Sequence, residues 1–92
     1  MDIVKIKEGF ILRNFNEINV VLPLGENDQK FMIELNNEGV FLWRMFSDEV
    51  EYKDSIKKYQ REFNINEDVA KQDIDEFITF LNENHFMEES HE

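Results

Sequence analysis

The sequence contains no cysteine, one proline and three glycines among 92 residues. Without cysteine there is neither a disulfide framework nor a thiolate metal site, so zinc-finger and thiol chemistry are excluded. Histidine is nearly absent too: His85 and His91 both fall within the last eight residues and are expected at the surface rather than as ligands. No uninterrupted apolar stretch approaches the roughly 20 residues of a membrane span, and the Met1-Asp2 start lacks the basic and apolar regions of a secretory signal. A cytoplasmic protein without a membrane partner is expected. Basic side chains are scarce, ten Lys and Arg against 21 Asp and Glu, for a formal net charge of −11. Residues 66–92 hold nine acids and one base, Lys71, a balance that repels phosphate and argues against nucleic acid.

What is present, 41% apolar and 13% aromatic residues, suits one compact domain over 1–92. A chain this short builds a core but has little room for an internal cavity that holds a large substrate and its chemistry. No Ser-His-Asp or Cys-His set, Walker loop or dinucleotide fingerprint occurs. The expectation is a small binding module, not an enzyme, with no catalytic residue, cofactor or metal.

Turn signals divide the chain near Leu35-Asn36 into a strand-like first third and a helical remainder, an α+β order. Strands are predicted near 10–15, 18–23 and 31–35, the first two forming a hairpin and Pro23 ending the second. Phe31, Ile33 and Leu35 alternate with Met32 and Glu34, the pattern of a half-buried strand. Helices are predicted near 37–46, 53–63 and 66–84, with Asn36 and Asn66 as N-caps. Gly39 costs helix propensity, which points to a close backbone approach. The predicted core is Gly39, Leu42, Trp43, Phe46, Ile56, Tyr59, Phe63, Ile74, Phe77 and Leu81.

The third helix has an apolar arc of about 180° at 100° per residue, wider than the stripe of somewhat over 100° that a surface helix needs. Either one flank, Val69-Asp73-Phe80 or Ile74-Ile78, faces something outside the domain's interior, or the domain wraps this helix deeply. The carboxylates Glu67, Asp68, Asp73, Asp75 and Glu76 diverge around the helix and suit a solvated face better than a metal or acid-base site. Phe41 and Met45 lie about opposite the Gly39-Trp43 face. They either form an exposed patch for an enzyme partner or pack under the sheet or the second helix.

The segments Gly9-Phe10-Ile11-Leu12-Arg13, Val20-Val21-Leu22-Pro23-Leu24-Gly25 and Phe31-Met32-Ile33-Glu34-Leu35-Asn36-Asn37-Glu38-Gly39-Val40-Phe41-Leu42-Trp43, with the acidic last helix ending in Phe77-Ile78-Thr79-Phe80-Leu81, resemble the PqqD family. The resemblance covers about residues 5–88, and its most specific part is Leu35-Asn36-x-x-Gly39-x-x-Leu42-Trp43. It implies a winged helix-turn-helix-like domain with a three-stranded antiparallel sheet and three helices, a RiPP precursor peptide recognition element. Such domains are non-enzymatic peptide chaperones of natural product biosynthesis. They hold the leader of a ribosomally made precursor peptide and present it to a modifying enzyme, often a radical SAM maturase. The resemblance further implies that the leader adds as a strand along Phe31, Met32, Ile33, Glu34 and Leu35. It would then lie in the groove against the last helix, where Val69, Asp73, Ile74, Phe77 and Phe80 are the corresponding residues. Asn84-His85 stands where the family has a glycine near the end of that helix. The competing readings are a winged-helix DNA-binding regulator, disfavoured by the lone Lys71, and a structural subunit of an enzyme complex using Phe41 and Met45.

Overall fold

The computed structural model describes residues 2–23 and 33–87. Its elements run β1 (Ile3–Val4), β2 (Phe10–Phe15), β3 (Ile18–Pro23), β4 (Ile33–Leu35), α1 (Asn37–Phe46), β5 (Val50–Glu51), α2 (Tyr52–Phe63) and α3 (Glu67–Glu83). This is an α+β fold with an antiparallel sheet of order β2-β3-β4 followed by three helices. The predicted strand at 31–35 is seen as Ile33–Leu35; Phe31 and Met32 lie outside the described residues.

β2 and β3 form a hairpin in which Phe15 stands opposite Ile18. The two residues between them, Asn16 and Glu17, both have positive φ, 49° and 68°. That is the conformation of a two-residue type I′ turn, whose twist matches that of the flanking strands. β4 then pairs with β3, Asn19 opposite Leu35 and Val21 opposite Ile33.

Both predicted caps form. The Asn36 side chain accepts the Gly39 amide at 2.7 Å, and that of Asn66 accepts the Val69 amide at 2.9 Å, each answering a donor that its helix leaves open. A Cβ added to Gly39 would stand 3.2 Å from both the Asn36 Oδ1 and the Leu35 Cβ. The glycine therefore lets α1 start tight against the end of β4. α3 ends in a Schellman motif: the Phe86 amide donates to the Leu81 carbonyl, the His85 amide to that of Asn82, and His85 takes φ 61°. The left-handed position is thus His85 rather than Asn84.

The core gathers Val4, Ile6, Val21, Leu35, Leu42, Trp43, Phe46, Ile56, Tyr59, Ala70, Ile74, Leu81 and Phe86 around the three helices. Phe63 and Phe77, predicted to be buried, are half-buried at its margin. α3 buries a central strip of Ala70, Ile74 and Leu81, while Val69 is 42% exposed and Phe77, Ile78 and Phe80 are half covered. Its wide arc thus leaves both flanks open.

A second sheet has no counterpart in the predicted strands. β1 pairs with β5, the Ile6 amide donates to the Phe46 carbonyl, the Lys7 amide to that of Phe86, and Ile6 bridges Met87. The start of the chain therefore crosses the end of α1 and the segment after α3. No helix among the described residues is long and apolar enough to cross a membrane.

Candidate functional site

β4 ends the three-stranded sheet, and its second edge has no partner strand among the described residues. The turn type determines which of its backbone groups face that edge. In a two-residue hairpin the flanking pair, Phe15 and Ile18, exchange both of their hydrogen bonds. Alternation then turns the backbone groups of Val20 towards β2 and those of Asn19 and Val21 towards β4. By the register, Leu35 and Ile33 bond inward to β3, and Glu34 between them presents its N–H and C=O to the open edge. Its side chain is exposed, whereas Leu35 points into the core.

Beside this edge a groove runs between β4, the first turn of α1 and α3. One part, about 210 Å³, is lined by Glu34, Leu35, Phe77 and Phe80 with Asn36 and Gly39. The other, about 440 Å³, shares Asn36, Gly39, Phe77 and Phe80 and continues past Glu38 and Leu42 to Tyr59, Asp73 and Glu76. Gly39 lines both parts.

Five residues expected at the site, Glu34, Leu35, Asp73, Phe77 and Phe80, thus line one groove. Ile33 precedes Glu34 on the same strand. Ile74 is fully buried, because one residue's step of 100° from Asp73 carries it off the facing stripe, and Val69, on the same flank as Asp73 but one turn nearer the start of α3, does not line the groove. Phe31 and Met32 lie outside the described residues. Phe41 and Met45 are not an exposed patch: both are half-buried against the core, and the Phe41 ring lies 5.5 Å from that of Phe63 and 6.2 Å from that of Tyr59. α2 packs against the Phe41 side of that flank through Tyr59 and Phe63.

The far wall of the groove is held by two links between α2 and α3. The Tyr59 hydroxyl donates to Asp73 Oδ2 at 2.9 Å, and the Tyr52 hydroxyl donates to Asp75. Burial, and then the hydrogen bond to its carboxylate, raise both phenols above the ordinary value of 10, Tyr52 to about 12 and Tyr59 further. A folded-state pKa above the unfolded value means that this contribution to stability is complete below pH 10 and is lost as the pH climbs through about 12. Titrated by phenolate absorbance, the folded protein should show almost no ionised tyrosine at pH 10, where a free phenol is half ionised. Asp73→Asn should bring one transition earlier; a parent titrating at 10 would mean that the links are absent in solution.

Among the described residues no group of three or more His, Asp or Glu side chains is placed to hold a metal. A short aromatic cluster backs the groove, with the Phe80 ring 5.6 Å from Phe77 and 6.0 Å from Phe86. Phe86 was missed in the sequence because it follows the last helix. Its position after the left-handed cap, where an apolar residue commonly folds back onto the helix, is the signal that could have found it.

A family model described as coenzyme PQQ synthesis protein D (PqqD) matches residues 20–87, from β3 through the segment after α3. No curated protein and no solved structure matches the chain.

Proposed function

The chain belongs to the PqqD family, and from that premise we propose that it is a non-catalytic peptide chaperone. It captures the leader of a ribosomally made precursor peptide and presents it to a modifying enzyme, with a radical SAM maturase as the partner of choice, in the cytoplasm. The observation that supports this is the exposed backbone pair of Glu34 at the edge of β4, directly beside a groove with an aromatic wall. An extended peptide pairing there gains about 0.5–1.5 kcal/mol per hydrogen bond, and one apolar anchor against Phe77 and Phe80 adds roughly 1.5–3 kcal/mol if fully buried. Ordering the peptide costs about 2–5 kcal/mol, so several bonds and more than one anchor are needed for micromolar binding, about −8 kcal/mol.

The test is enzymatic, with the precursor as substrate and mass spectrometry as the readout. Incubated with this protein alone, the precursor should keep its mass. With the maturase added, conversion should depend on this protein and saturate as it is titrated in. Full conversion without it would remove the delivery role.

A further inference from the structure

Acidic residues of the helices line the groove, Glu38 from α1 and Asp73 and Glu76 from α3, and Glu34 borders it from β4. No basic side chain stands among its described lining. On α3 the acids are interleaved with the aromatic wall, since Asp73, Glu76, Phe77 and Phe80 recur at i, i+3, i+4 and i+7 and so share one helix face. We infer that the peptide received here is basic: the strand added at Glu34 carries Lys or Arg on the face turned to α3, each aliphatic stem lying across Phe77 or Phe80 with its charged head beside Asp73 or Glu76. This rests on the peptide-binding reading above and adds the sign of the ligand.

Lys and Arg suit this stripe because they are amphipathic along their length. Their methylene stems cover apolar surface while the head stays in water or meets a carboxylate, and a cation near an aromatic face gains a further attraction. Asp73 accepts the Tyr59 hydroxyl through Oδ2, which leaves its other oxygen available to a donor. Glu76 has only a 3.4 Å contact from the Gln72 amide and is exposed. The competing attraction is the start of α1, whose positive end favours an anion. Its Gly39 and Val40 amides are already satisfied by Asn36, at 2.7 and 2.9 Å, and Glu38 sits in its first turn. The carboxylates therefore decide the sign.

The experiment uses three short fluorescent peptides of alternating Val and Thr that are identical except at two same-face positions, occupied by Lys, Gln or Glu. Their binding to the full chain is followed by anisotropy at low salt. The Lys peptide should bind roughly three- to tenfold more tightly than the Gln peptide, and the Glu peptide least well. Its advantage should shrink as salt rises, and should vanish in an Asp73→Asn, Glu76→Gln variant that melts like the parent, since both replacements keep their acceptor oxygens. Glu34→Pro separates the two readings. If all three peptides bind equally, or the Glu peptide best, and Glu34→Pro abolishes that binding, strand addition stands and the basic preference is overturned. If no peptide binds, or Glu34→Pro changes nothing, the groove reading fails and the preference with it.

Discussion

Replacing Trp43 with alanine should lower the unfolding free energy by about 3–5 kcal/mol, a large part of the roughly 5–15 kcal/mol that holds a domain of this kind together. Trp43 is 4% exposed, and its ring meets Phe86 edge-on at 5.4 Å and Phe10 edge-on at 6.4 Å. It therefore joins three separate parts of the chain: the hairpin, α1 and the segment after α3. Alanine leaves a cavity that these parts cannot close without moving relative to one another. Denaturant unfolding followed by circular dichroism is the suitable measurement, because Trp43 is the protein's one tryptophan and its fluorescence is lost with it. Trp43→Phe should recover part of the loss. An alanine variant that unfolds at the parent's midpoint would mean that α1 packs through another face.

The largest effect on peptide binding is expected from Glu34→Pro. The Glu34 amide faces the open edge and, among the described residues, donates to no neighbouring strand, so proline removes nothing from the ladder between β3 and β4. What it removes is the donor offered to an added strand, and its ring fills the edge. The lost hydrogen bond, worth about 0.5–1.5 kcal/mol, together with the ring's bulk, which holds the added strand off the neighbouring carbonyl, should weaken binding about tenfold to a hundredfold while the dichroism spectrum stays that of the parent. Glu34→Ala, which keeps the amide, should cost far less. Ile33→Pro is the structural contrast: that amide bonds inward opposite Val21, so the variant should unfold more readily. Normal leader binding by a folded Glu34→Pro variant would exclude β4 as the docking edge.

Most of the helical part of the fold was legible from spacing and caps. Asn36 and Asn66 do cap, the ends of α1 fall at the predicted residues, and the buried faces of α1 and α3 follow the 3.6-residue period. The hairpin was legible because alternating β-prone residues flank a polar turn. The β1–β5 sheet was not, since two-residue strands carry no period and their pairing depends on where the chain start happens to cross β5. Burial at Val4, Ile6 and Phe86 follows from the same crossing. At the candidate groove the sequence pointed to the stretch of α3 that lines it but not to its resolution into sides. Ile74 and Phe77 are three residues apart, yet one is sealed in the core and the other lines the groove. Phe41 stayed open between an exposed patch and packing under the second helix, because a helix considered alone shows its own apolar stripe and says nothing of a second helix lying beside it.

The pairing of Ile6 with Met87 ties the segment after α3 to the first segment of the chain at one corner of the fold. That corner adjoins Phe46, the last residue of α1, whereas the groove lies at the same helix's first turn around Gly39. Seven residues of helix put roughly 10 Å between them. A partner that rested on that corner would thus leave the first turn of α1 uncovered.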